Sequence, residues 1–155
     1  MAQTEPRPVE EASRGGEAER WPSRDDALAL MTEYVKNPGL RRHMLAVEAA
    51  MRAYARRFGE DEERWAVAGI LHDFDYEIHP TLDHHPQDGA PILRERGYPP
   101  ELIETILSHA DHLDTPRTTP MRLALYAVDE VTGFAGAVAL VRPDKRIASV
   151  TPASF

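Results

Sequence analysis

Apolar residues recur at helical spacing along most of the chain, and polar punctuation separates the stretches. Ser23, with Asp26 three residues on, reads as a capping-box variant. The helix it opens has Ala27, Leu28, Leu30, Met31, Tyr34 and Val35 on its apolar face, and Asn37-Pro38-Gly39 ends it. A second helix is expected from Leu40 to Phe58, with a stripe of Leu40, His43, Met44, Val47, Met51, Tyr54 and Phe58 and a stop at Gly59. Asp61 caps a third, whose first turn holds Glu62 and Glu63, where the helix dipole favours acids. Its body, Trp65 to Leu71, is almost wholly apolar, which places it at the centre of the fold with His72 and Asp73 at its C-terminal end. Residues 74–84 read as a loop, and Pro86 fits the first turn of a fourth helix reaching Arg96. After the break Gly97-Tyr98-Pro99-Pro100, a fifth helix runs from Glu101 to His109. A long last helix starts near Pro120 and continues to Val141, where Arg142-Pro143 stops it. No strand is expected, so the fold class is all-α with about six helices. Thr151-Pro152 reads as the start of one more helix, yet the sequence stops at Phe155; the expectation is a truncated C-terminus.

The chain has 155 residues, one domain by length, assigned to residues 23–155. Residues 1–22 hold Pro6, Pro8, Gly15, Gly16 and Pro22 among alternating Glu and Arg, which predicts a disordered tail. With 18 Lys and Arg against 26 Asp and Glu, the net charge of −8 argues against a long nucleic acid as partner. There is no Cys, which excludes disulfides, thiol nucleophiles and Cys-ligated metals. The longest near-apolar run, Phe134 to Val141, is far short of the ~20 residues of a membrane span. With no signal-peptide pattern either, a cytoplasmic protein without a membrane partner is expected.

All seven His residues (43, 72, 79, 84, 85, 109 and 112) fall in the middle of the chain. Neighbours on a helix point about 100° apart, so His72 and Asp73 can serve one point only beside the helix end. His43 lies on the inward face of the second helix, between Leu40 and Val47. His109 ends the fifth helix, His85 precedes the fourth, and Asp129 sits among Leu125, Tyr126 and Val128 in the last. A carboxylate on an apolar helix face is costly unless paired or bound to metal. Taken singly, each of these is more often a satisfied core residue. Taken together, inward His and Asp from several helices point to a metal site of nitrogen and oxygen ligands. His79, His84 and His112 read as exposed loop residues.

The ordered set His43 … His72-Asp73 … His85 … His109 … Asp129 resembles the HD superfamily of metal-dependent phosphohydrolases. The flanking Leu71-His72-Asp73-Phe74-Asp75-Tyr76, His85-Pro86 before Gly89, Ile106-Leu107-Ser108-His109-Ala110, Val128-Asp129-Glu130 and Arg142-Pro143-Asp144-Lys145 resemble its small stand-alone members. The resemblance covers residues 23–150 and implies a helical bundle around a central metal site. It implies one metal on His43, His72, Asp73 and Asp129. It implies a second on Asp73, His85 and His109, with Asp73 as the bridging catalytic carboxylate. His84 is the alternative to His85, which directly precedes the helix-starting proline. One or two divalent ions are expected, from Mn, Fe, Zn, Ni or Mg.

The function this implies is hydrolysis of a small phosphate ester or nucleotide by metal-activated water. Arg117, Arg142 and Lys145 are the candidate substrate-binding cations. Asp75, the catalytic candidate, and Glu77 lie close to His72-Asp73, and each could act as a general acid or as a partner that supports a ligand from behind. An HD-fold di-iron oxygenase and a non-catalytic binding module are the rival readings. The run Gly133 to Val141 is a candidate homodimer surface, although burial within the monomer is the preferred reading of a helix apolar all round.

Overall fold

Seven consecutive residues, Trp65 to Leu71, are buried, and the other helices are arranged around them. They belong to α3 (Glu62–Leu71) in the computed structural model, which describes residues 20–154. The other helices are α1 (Arg24–Tyr34), α2 (Pro38–Phe58), α4 (Gly89–Glu95), α5 (Pro100–Leu107) and α6 (Pro120–Val141). Short 3-10 turns follow at Asp111–Leu113, Ile147–Ser149 and Pro152–Ser154, and no strand occurs among the described residues. The all-α class and the six-helix order are as expected. Residues 1–19, most of the segment read as a disordered tail, lie outside the described residues. Trp21 packs against the core, with the Arg64 guanidinium 5.3 Å from its ring centre.

Local chemistry explains the helix ends. The Ser23–Asp26 capping box is complete on both sides. The Asn37 side chain accepts from the Gly39 and Leu40 amides, so α2 begins at Pro38, earlier than the expected Leu40. Pro suits the first helical position because its missing N–H has no partner there anyway. Gly59 takes a left-handed conformation (φ 71°) to close α2. Asp61 caps the Glu63 and Arg64 amides.

α4 starts at Gly89 rather than Pro86. Residues before it form successive turns, and the Asp88 carboxylate bonds to His84 Nδ1 at 2.6 Å instead of capping a helix. The expected helix at Thr151-Pro152 is a single 3-10 turn.

α2 lies against both α3 and α6, α1 packs on α3, and α5 contacts α3, α4 and α6. A Cβ on Gly69 would sit 2.9 Å from the Glu48 backbone, so α2 and α3 approach closely only because that residue is glycine. Glu48 itself is buried and accepts from Arg24 Nε at 2.6 Å and Arg52 Nε at 3.1 Å. Arg52 reaches on to Glu63 at 2.6 Å, which ties α1, α2 and α3 together by charge. On α2 the buried line is Met44, Val47, Met51 and Ala55. Tyr54 and Phe58, expected inside, stack on each other at 5.9 Å near the surface.

The run Gly133 to Val141 departs most from expectation. Only Ala139 is buried there, and Leu140 and Val141 are 68% and 83% exposed. α6 is 22 residues long, and apart from Ala139 its buried residues end at Val128, so the core ends roughly halfway along it. By length and composition α6 could also cross a membrane, which the short run considered in the sequence did not suggest. Its first half packs through Met121, Ala124, Leu125 and Val128.

Candidate metal centre

α3 ends at Leu71, and the buried turn that follows it presents His72 and Asp73. His72 is fully buried, and its Nδ1 donates to the Gly69 carbonyl at 2.8 Å. That hydrogen bond leaves Nε2 as the ring's free acceptor in the neutral form. Nε2 lies 3.3 Å from His43 Nε2, 3.5 Å from Asp129 Oδ1 and 3.3 Å from Asp73 Oδ2. His43 comes from α2 and Asp129 from α6, and the two meet at 2.9 Å.

The other oxygen of Asp73 faces a second group. Its Oδ1 is 3.2 Å from His85 Nε2 and 3.5 Å from His109 Nε2, and these two nitrogens are 3.3 Å apart. His109 sits just past the end of α5 and donates from Nδ1 to the Ile106 carbonyl. His85 sits in the turns before α4 and points Nδ1 at Asp75 Oδ1, 2.9 Å away. The structure therefore forms two triplets, His43–His72–Asp129 and Asp73–His85–His109, either of which could hold a metal ion.

Both triplets fit a divalent cation. Ligands about 2.0–2.2 Å from a tetrahedral ion lie roughly 3.3–3.6 Å apart, close to the separations seen. Their rear nitrogens also matter. With Nδ1 of His72, His85 and His109 engaged elsewhere, lone pairs on Nε2 converge on carboxylate oxygens. Such acceptors repel unless a proton or a metal lies between them.

Charge shifts agree. Burial opposes a charge on His72, but Asp73 and Asp129 outweigh it and hold its pKa well above the ordinary value. Burial also works against His85, yet Asp73 and Asp75 lift it to about 9. Burial and the neighbouring His72 push His109 down. Despite the cost of burial, the surrounding imidazoles hold Asp73 and Asp129 well below the usual carboxylate range.

All six residues read as ligands in the sequence thus converge, and His84 does not join them: it is exposed and bound to Asp88. The remaining site candidates are not part of either triplet. Asp75 is fully buried behind His85, in the position of a supporting partner, and has no surface to offer a substrate as a catalytic acid. Glu77 accepts from the Lys36 and Asn37 amides and fastens the α1–α2 turn. Arg117 is held by the Ser108 carbonyl and Asp111, at 2.7 Å each, and lies over the Tyr126 ring. Arg142 ties the Ser149 and Ser154 hydroxyls, and Lys145 follows it. At 1.5 Å per residue, Arg142 is about 20 Å along the α6 axis from Asp129.

Two contributors were missed in the sequence. His79, read as exposed, is half-buried and bonds Asp75 Oδ2 at 3.3 Å, a spacing of four residues that could have suggested the pair. Gly89 presses on the Asp75 carboxylate, and no sequence signal marks that contact.

The HD domain family model matches residues 40–137, and the chain belongs to the HD domain family, a superfamily of metal-dependent phosphohydrolases. It is 30% identical over 107 residues to Ribonuclease Y of Nitratidesulfovibrio vulgaris (strain DP4). It is 28% identical over 107 residues to Ribonuclease Y of Oleidesulfovibrio alaskensis. Each match takes in 68% of this chain and 20% of the relative, so the chain spans about a fifth of the length of these relatives. No solved structure gives a significant match.

Proposed function

We propose that this protein hydrolyses a small phosphate ester or nucleotide with two divalent ions. The observation that carries this reading is Asp73, whose two oxygens face the two separate groups of ligands. Divalent ions, when bound, lower the pKa of coordinated water toward neutrality and polarise phosphoryl oxygens. His43, His72, Asp73 and Asp129 would hold one, and Asp73, His85 and His109 the other. His72, His85 and His109 are covered, whereas the side chains of His43 and Asp129 are each 22% exposed. Substrate therefore approaches from the side where α2 faces α6. The carbonyls behind His72 and His109 fix those rings, so the acceptor nitrogens need no reorientation when a cation arrives.

The test is a panel of p-nitrophenyl phosphate, bis-p-nitrophenyl phosphate and nucleotides, run with Mn, Fe, Ni, Zn or Mg after chelator treatment. Metal-dependent release of phosphate or nitrophenol is expected, with no turnover by the chelated protein. Full metal loading with no hydrolysis of any substrate would sink the proposal.

A second reading has one observation behind it: both relatives are named ribonucleases. A phosphodiester in RNA would then be the target. The net charge of −8 favours the small substrate instead. A labelled single-stranded RNA in the same panel separates the two.

A further inference from the structure

Asp75 is a buried carboxylate that the hydrolytic scheme does not use, and it is the feature from which most follows. Its side chain has no exposed surface. Its Oδ1 accepts from His85 Nδ1 at 2.9 Å, and its Oδ2 lies 3.3 Å from His79 Nδ1. Gly89, at the start of α4, closes the space behind it. A Cβ there would fall 2.7 Å from Asp75 Cγ and 2.8 Å from Oδ2. The carboxylate is enclosed and engaged on both oxygens, so a side chain at 89 would have to push it off its partners.

The two triplets differ in this respect. His72 and His109 rest on main-chain carbonyls. His85 rests on an anion, and the Tyr76 ring also meets it edge-on, 5.1 Å between centres. A carboxylate behind a metal-binding imidazole fixes its tautomer and raises its basicity more than a carbonyl does. Among the described residues, no carboxylate is seen behind the rings of the His43–His72–Asp129 group.

We infer that Asp75, held in place by Gly89, is a positioning residue that governs filling of the Asp73–His85–His109 position independently of the other metal position. The inference rests on reading these six residues as a two-metal centre. It does not depend on which substrate is hydrolysed, or on whether any is.

The probe is Mn(II) on the full chain, stripped with chelator and dialysed at graded concentrations. Elemental analysis counts ions per chain, and electron paramagnetic resonance separates an isolated Mn(II) from a coupled pair. Two ions with a coupled signal are expected for the wild type. Asp75→Ala should hold one, with the signal of an isolated ion. Asp75→Asn keeps an oxygen facing His85 and loses the charge. It should recover the second ion only at Mn(II) concentrations about 10–100-fold higher. Gly89→Ala, which displaces the carboxylate without removing it, should shift the second ion in the same direction. Circular dichroism of the chelated variants checks their helix content, and Asp75→Asn carries the test if Asp75→Ala does not fold. Unchanged binding of both ions in Asp75→Asn and Gly89→Ala overturns the inference. Loss of both ions together overturns it too, because that result marks Asp75 as a general support of the fold. A wild-type chain that takes up fewer than two ions overturns the two-metal reading and the inference with it.

Discussion

Asp73 meets His72 and His43 through one oxygen and His85 and His109 through the other. Its replacement therefore removes a ligand from both positions. Asp73→Ala is expected to lose both ions and all hydrolysis while keeping its helix content, as elemental analysis, turnover and circular dichroism would show. Retained activity with full metal content would contradict the bridging role. At this scale the six converging residues were legible, because inward His and Asp on several apolar helix faces, taken together, are hard to explain by packing alone. The role of the residues behind them stayed open. Asp75 stands among loop acids in the sequence, and only the docking of Gly89 and His85 around it makes it a buried support. Arg117, Arg142 and Lys145 were plausible as cations on loops. The partners that hold Arg117 and Arg142, from Ser108 to Ser154, come from folded turns that no spacing rule foretells.

At the level of elements, the contact of α2 with α3 decides whether the two halves of the first ligand set meet. Gly69 allows it, and the same residue's carbonyl accepts the His72 Nδ1 hydrogen. Gly69→Ala should cost about 1–3 kcal/mol, the usual range for overpacking. It should also weaken metal binding by turning His72. Urea unfolding of the chelated protein, with metal titration of the same variant, checks both. An unchanged midpoint would mean that the helices part without strain. Helix identities were readable from caps and periodicity, and the boundaries failed where a side chain had a better partner. Asp88 bonds His84 and so leaves the start of α4 uncapped.

For the whole molecule, the buried His and Asp cluster couples stability to pH. In the metal-free chain His72 and His85 have raised pKa values, so their contribution is complete below the ordinary 6.5 and is lost as pH climbs, through about 9 for His85. Asp73 and Asp129 are depressed, so theirs is complete above 3.8 and is lost on acidification. The lowered His109 adds a loss on acidification below 6.5. The chelated protein should accordingly lose Tm on raising the pH from 6.5 to 9. Metal competes with those protons, so the metal-loaded protein should resist that loss. Free metal at 100 times its Kd adds about 2.7 kcal/mol per ion, or roughly 5–10 °C in Tm for a domain of this size. Paired melting curves across that pH range test this; a gap between loaded and chelated protein that narrows with pH would refute it. The sequence by itself determined the all-helical class, the order of the helices and the identity of the six converging side chains. Those depend on periodicity, caps and residue chemistry, which are local. Tertiary structure alone decided which oxygen of Asp73 serves which histidines, which carboxylate backs His85, and how far the core runs along α6. These follow from distances between segments remote in the chain. In α6 the apolar run past Val131 has the composition of a core helix, yet most of it lies on the surface, beyond the buried line Met121, Ala124, Leu125 and Val128.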